Sequence, residues 1–299
     1  MDAAIIVTYR CNAHCEMCNI WQHPTKPADE FPPELLEKLP DGLRAINITG
    51  GEPALRQDLA RIVDILSAKT GRVEISTNGY FTDRLVEAAT PHPEITIRIS
   101  AEGLPETNDR VRGIKNGFDH AMRSYLRLRE LGVKDLGFAM TIQDSNKDDL
   151  LDLFHLADDL GAEFAQAVPH NSYYFHKFDN QIQDVEGVQA AIKSLIEALL
   201  KSKRPKQWAR ARRFGEGRLL RAERQRHRAG GMLHPRRADG HAPRRHRAPG
   251  DDRVREQHPF RGRTGLGAEL REAGGPPARR MDASAGVPCG LVVMLDAIP

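Results

Sequence analysis

Three cysteines fall in the run Tyr9-Arg10-Cys11-Asn12-Ala13-His14-Cys15-Glu16-Met17-Cys18-Asn19. The pattern is C-x3-C-x2-C, which puts three soft thiolate donors on one short loop. Such donors take zinc or an iron–sulfur cluster. A closed structural zinc site uses four ligands, usually in paired Cys or His spacing, and His14 is the available fourth. Its position inside the tight loop makes joint ligation awkward. An iron–sulfur cubane accepts a thiolate on each iron, so Cys11, Cys15 and Cys18 would leave one iron open to chelation.

Further polar segments follow at intervals: Thr49-Gly50-Gly51-Glu52-Pro53, Ser76-Thr77-Asn78-Gly79-Tyr80, Ser100-Ala101-Glu102-Gly103, and Asn108-Asp109-Arg110-Val111-Arg112-Gly113. Glycines let backbone approach a ligand closely. Glu52 offers a carboxylate for an ammonium group. The polar side chains of the other segments need partners, which a ribose or a carboxylate would supply.

These segments sit where strands end. Apolar β-type runs predict strands at Ala3–Thr8, Ala45–Thr49, Val73–Thr77, Ile95–Ser100, Leu136–Ile142 and Glu163–Val168. Helical spacing and caps predict helices at Pro33–Leu39, Asp58–Lys69, Asp83–Ala89, His120–Leu131, Lys147–Leu160 and Glu186–Lys203, the last stopped by Pro205. Strand–helix alternation with short connections means parallel strands joined by right-handed crossovers. Six such units make a partial or complete α/β barrel, or an open sheet, with the working face at the carboxyl ends of the strands.

With the cysteine loop first and the Gly-Gly-Glu-Pro turn next, the chain resembles the radical S-adenosylmethionine superfamily over residues 3 to about 205. The residue before the third cysteine is usually aromatic in that family; here it is Met17. The resemblance implies an α/β fold, a partial (βα)6 TIM-like barrel. It implies a [4Fe–4S] cluster on Cys11, Cys15 and Cys18 and S-adenosylmethionine as the second cofactor. The Gly50, Gly51, Glu52 and Pro53 segment would take the methionine amino group, and Asn78 belongs to the same cofactor face. Ser100 and Glu102 are candidates for the ribose region, Arg112 for the methionine carboxylate, and Ala167 and Val168 for backbone contact with adenine. His170, Tyr173 and His176 are substrate-side candidates. The implied reaction is reductive cleavage to a 5′-deoxyadenosyl radical, which abstracts hydrogen from a substrate. It needs no acid–base pair at the first step, so no catalytic residue is assigned. The family implies a flavodoxin or ferredoxin as reductant, and the substrate is a peptide or a small metabolite.

Composition excludes other classes and divides the chain. The 299 residues are 40% hydrophobic and 28% charged, with a mean hydropathy of −0.52, which fits neither a membrane protein nor a coiled coil. No apolar stretch approaches the ~20 residues of a membrane span. The start lacks a secretory pattern, and clustered cysteines without one fit a metal site in the reducing cytoplasm. His92, His120 and His155 read as helix or loop histidines, Met122 and Met140 as core, and the lone Cys289 is assigned nothing.

Residues 1–203 carry 22 Lys and Arg against 31 Asp and Glu, whereas residues 204–299 carry 22 against 10. The division is a core at 1–205 and a basic, low-order tail at 206–299. In the tail Lys206 is the only lysine, and Arg, Gly, Pro, Ala and His dominate. One reading is a disordered tail that touches nucleic acid, next to a non-catalytic zinc or iron–sulfur module. Its binding would then fall steeply with salt. The reading preferred for the tail is out-of-frame translation of GC-rich DNA. One nucleotide forward, Met232-Leu233 must encode a cysteine, and Val254-Arg255 encodes another where its codons are GTG and CGN. The tail would then be the remnant of a SPASM or twitch-like extension that carries auxiliary clusters in some members. Sequencing across codons 205–260 tests this, and a clean frame shared with close relatives would refute it.

Overall fold

The computed structural model describes residues 2–202 and, as backbone, residues 292–295. Six short strands, β1 (Asp2–Ile6), β2 (Ala45–Thr49), β3 (Val73–Thr77), β4 (Thr96–Ser100), β5 (Asp135–Thr141) and β6 (Glu163–Ala167), pair in chain order. All five pairings are parallel. A seventh strand, β7 (Val292–Leu295), pairs antiparallel with β1 through Ile6–Val292 and Ala3–Leu295. Among the described residues the sheet order is therefore β6-β5-β4-β3-β2-β1-β7, and the six parallel strands and their helices form the partial (βα)6 barrel.

The helices are α1 (Leu59–Lys69), α2 (Thr82–Ala89), α3 (Pro105–Arg112), α4 (Gly117–Leu131), α5 (Leu150–Asp159) and α6 (Val185–Lys201). All but α3 bury an apolar stripe; α1 does so with Leu59, Ile62, Val63 and Leu66, all fully buried. Burial of each such side chain is worth roughly 1.5–3 kcal/mol. Two segments differ from expectation. Pro33–Lys38 is a 3-10 helix rather than an α-helix, consistent with successive prolines at its start. The Pro105–Arg112 segment, assigned no helix from sequence, is helical: Pro105 sets its first turn, and Gly113 ends it in the left-handed region at φ 56. Its polar sequence carries one buried aliphatic residue, Val111, too little for an apolar periodicity.

Strand alternation gives the sheet two unlike faces. Ile5, Ile46, Ile48, Ile75, Ile97, Ile99, Phe138 and Phe164 join the core under the helices. The alternate positions form the concave face, and there, apart from Ile6, the lining is polar or small. Ser76 donates to Asn47 Oδ1 at 3.0 Å. Below it, Asp135 accepts from Arg98 at 2.6 Å and from Thr96 at 3.0 Å. Gly137, Ala139 and Ala165 add little bulk. Closed barrels of this type fill their interior with branched aliphatics; this concave face offers hydrogen-bonding groups instead.

No helix among the described residues is long and apolar enough to cross a membrane. The boundary at 205, residue pairs 232–233 and 254–255, Cys289 and the rest of the tail apart from 292–295 lie outside the described residues.

Candidate cofactor-binding site

The cysteine loop leaves the end of β1 and is held on two sides by backbone. Thr8 O accepts from Gly51 N, and Arg10 O from Glu52 N, both at 2.8 Å. A Cβ on Gly51 would stand 2.2 Å from Arg10 O, and one on Gly50 2.4 Å from Thr8 O. The two glycines therefore make room for the chain itself at the root of the cysteine loop. Gly51→Ala is expected to lower stability by about 1–3 kcal/mol, the usual cost of overpacking, read from the urea midpoint. An unchanged midpoint would show that the loop yields freely.

On the other side His14 N donates to Arg112 O at 2.8 Å and Glu16 N to Val111 O at 2.9 Å, so the last turn of α3 carries the loop. Gly113 serves this contact, since a Cβ there would meet His14 O at 2.8 Å. Glu30 fixes the root by accepting from Thr8 Oγ1 at 2.5 Å and from Arg10 through two nitrogens at 2.8 and 3.0 Å.

Cys11, Cys15 and Cys18 are free and half-buried on this loop. Burial pushes the Cys11 thiol up to about 12 and the Cys18 thiol up to about 11. Cys15 is raised for the same reason, with partial relief from Arg112. As thiolates they would need a positive centre to offset that desolvation. Among the described residues no three His, Cys, Asp or Glu side chains stand as the shell of a single metal ion. His14 is exposed, and its ring packs on Trp21 with centroids 4.5 Å apart. A four-iron cluster, by contrast, distributes its thiolates over separate irons.

Arg112 is the cation of the site. Its Nη1 donates to Glu102 at 3.0 Å, while its Nε is buried with no hydrogen-bond partner. Burial alone would lower its pKa, but Cys15 and Cys11 as thiolates, together with Glu102 and Glu52, outweigh that and raise it. An orphaned guanidinium N–H inside a protein is costly and asks for an acceptor. Asn12 Nδ2, in the cysteine loop, is likewise buried and unpartnered.

Glu52 is fully buried and serves the protein first. Its carboxylate accepts from Ala54 N at 3.0 Å, Thr77 Oγ1 at 2.6 Å and Asn78 N at 2.6 Å, so it ties the β2 turn to the end of β3. An ionised carboxylate has about four lone-pair sites, which leaves roughly one for an ammonium group. Burial raises its pKa against those three donors. Pro53 opens the 3-10 turn after it. Asn78 Nδ2 donates to Asn12 at 2.7 Å, joining the β3 turn to the cysteine loop. Glu102 accepts from Arg112 and, at 2.7 Å, from Thr141 N. Burial raises its pKa, opposed by Arg112. Ser100 closes β4, half-buried, opposite Ala139.

Past β6 the expected residues separate. Val168 is exposed, and the carbonyl of Ala167 is taken by Ile142 N at 2.8 Å. His176 stacks on His23 with centroids 4.1 Å apart, and Tyr173 stands outward against Phe178. His170 packs on Phe175. Tyr174, not singled out from sequence, reaches the site: its hydroxyl donates to Gly50 O at 2.8 Å. Asn47 was also missed, although the alternation in Ala45–Thr49 already puts it on the face away from the helices. His92 lies between Asp64 and Glu94, His120 stacks on Tyr80, and Met140 is core.

A parallel α/β partial barrel with a three-thiol loop at the carboxyl ends of its strands defines the class. The family model of the Radical SAM superfamily matches residues 5–157, half of the chain, and the chain belongs to that superfamily. The family uses a [4Fe–4S] cluster and S-adenosylmethionine. The chain is 34% identical over 161 residues to Fe-coproporphyrin III synthase of Methanosarcina barkeri, covering 51% of this chain and 40% of that protein. It is 29% identical to GTP 3′,8-cyclase of Aquifex aeolicus, covering 52% of each. The alignments thus span about half or less of these relatives' length. Streptococcus suis SuiB with S-adenosylmethionine bound shares the fold at a TM-score of 0.55 and 17% identity, over 65% of this chain and 47% of that one.

Proposed function

We propose that this chain is a radical S-adenosylmethionine enzyme whose core, residues 1–205, binds a [4Fe–4S] cluster through Cys11, Cys15 and Cys18. The carrying observation is Arg112, a buried guanidinium with an unpartnered Nε beside those thiols. A carboxylate there would complete it, so Arg112 orients the methionine end of S-adenosylmethionine. Glu52 holds the Gly-Gly-Glu-Pro turn under the amino group. Asn78, Ser100 and Glu102 present polar groups toward the ribose, and backbone at Val168 faces the adenine. When bound, the reduced cluster would supply one electron for reductive cleavage of S-adenosylmethionine, and so the radical chemistry for hydrogen abstraction from a substrate.

A flavodoxin or ferredoxin supplies the electron. The substrate is a peptide or a small metabolite, and relatives bearing both kinds of name support keeping both: the sporulation killing factor maturation protein of Bacillus subtilis and GTP 3′,8-cyclase. The Asn47–Ser76 pair suits a substrate that brings hydrogen-bonding groups. Residues 206–299 are the frame-shifted remnant of an auxiliary-cluster extension.

Anaerobic reconstitution with iron and sulfide, then a 5′-deoxyadenosine assay under reductant, tests this reading. About four irons per chain and S-adenosylmethionine-dependent product are expected. Iron-free protein, or iron without cleavage, would overturn it.

A further inference from the structure

The loop between β6 and α6 spans both halves of the candidate site. Ser172 and Lys177 bridge each other, and Asn171 Oδ1 accepts from Asn180 N at 2.8 Å, so the loop is braced from within. On the cysteine side, Asn19 N donates to Phe175 O at 2.9 Å and Asn19 Nδ2 to His176 O at 3.1 Å. Asn180 Nδ2 adds a bond to Met17 O at 3.1 Å. On the other side, the Tyr174 hydroxyl donates to Gly50 O at 2.8 Å and meets Thr49 Oγ1 at 3.3 Å. The Tyr174 ring packs against Tyr9 and Phe175.

We infer that Tyr174 is a positioning residue for S-adenosylmethionine: through Gly50 O it fixes the Gly-Gly-Glu-Pro turn at a set distance from the cysteine loop. This rests on the function proposed above. The residues that would hold the cofactor lie on separate loops, the cysteine loop at Cys11–Cys18, which would carry the cluster, and the turn at Gly50–Pro53. Their spacing must be held before the cofactor arrives. The backbone bonds at Thr8 and Arg10 hold the root of the cysteine loop, whereas the β6–α6 loop ties the far end, at Met17 and Asn19, to the turn. Burial holds the phenol of Tyr174 protonated, so it is a donor to a carbonyl that phenylalanine would leave unpaired.

The test uses the full chain, reconstituted anaerobically, as wild type, Tyr174→Phe and Asn180→Leu. Phenylalanine keeps the ring contacts, so iron content and melting temperature should match wild type. The Kd for S-adenosylmethionine, from equilibrium dialysis of the unreduced cluster-loaded protein, should rise roughly threefold to tenfold, as expected for one hydrogen bond. KM should rise by the same factor while kcat changes less. The change that S-adenosylmethionine causes in the electron paramagnetic resonance spectrum of the reduced cluster should be altered. Asn180→Leu, at the other anchor, should move Kd in the same direction. Unchanged Kd and spectrum in Tyr174→Phe would overturn the inference while leaving the proposed function standing. So would a fall in iron content together with melting temperature, which marks a merely structural residue. A wild type that neither holds iron nor cleaves S-adenosylmethionine would instead remove the reading on which the inference rests.

Discussion

Cys15→Ala is expected to abolish both the brown colour of the reconstituted chain and its S-adenosylmethionine cleavage, without unfolding the apoprotein. The argument separates two roles of the side chain. As a thiol, Cys15 is only half-buried, so the loss to apo stability is within about 1 kcal/mol. In the ligand role proposed for it, it would have no substitute. The neighbouring His14 is turned to Trp21, and no other His, Cys, Asp or Glu completes a shell with the remaining two among the described residues. Losing an outer partner costs a metal site roughly 10- to 100-fold, and losing a ligand should exceed that. Iron and sulfide analysis, read beside the apo melting curve, gives the answer. Wild-type iron content in Cys15→Ala would remove the cysteine loop from the cofactor site.

Arg112→Met carries the largest expected cost to the fold. Glu102 would remain buried beside Thr141 N with its counter-charge gone, and breaking a buried pair from one side costs roughly 3–5 kcal/mol. The sign of the pH dependence follows from Glu102, whose pKa already lies above 4.5 in the folded chain because of burial. Removing Arg112 raises it further. A carboxyl with a raised folded pKa contributes stability below its unfolded value and loses it as pH rises through the folded value. The destabilisation should therefore be greatest at neutral pH and shrink as pH falls toward 4.5. Urea unfolding across that range measures it. Arg112→Met with Glu102→Gln should recover much of the stability, because glutamine is neutral and still accepts from Thr141 N. The double variant should not recover S-adenosylmethionine binding, which is expected to stay roughly tenfold to a hundredfold weaker, the value of a charge-assisted hydrogen bond. Wild-type affinity in the double variant would mean that Arg112 serves only Glu102.

The parts legible in the sequence are those written locally. The strands and most helices announce themselves by period, because Ile46 and Ile48, or Leu59, Ile62 and Val63, must each share one buried face. The C-x3-C-x2-C spacing and the Gly-Gly-Glu-Pro turn are equally local. α3 was not legible, since a helix buried through Val111, Asn108 and Arg112 writes no apolar stripe. β7 was not legible either: four residues at 292–295 gain their place by pairing with β1, and nothing local requires that.

The same division runs through the site. Sequence alone determined which donors are available: three thiols on one loop, a carboxylate after two glycines, and an arginine ending a polar segment. Only the tertiary structure decided what each is spent on. Gly51 is small for Arg10 O, 41 residues away along the chain, rather than for a ligand alone. Glu52 spends three acceptor sites on Ala54, Thr77 and Asn78. Tyr174 outranks Tyr173 because its hydroxyl finds Gly50 across 124 residues while its neighbour points outward. A residue's chemistry is carried by its own atoms. Whether a lone pair or an N–H remains for a cofactor depends on which distant groups folding brings within 3 Å of it.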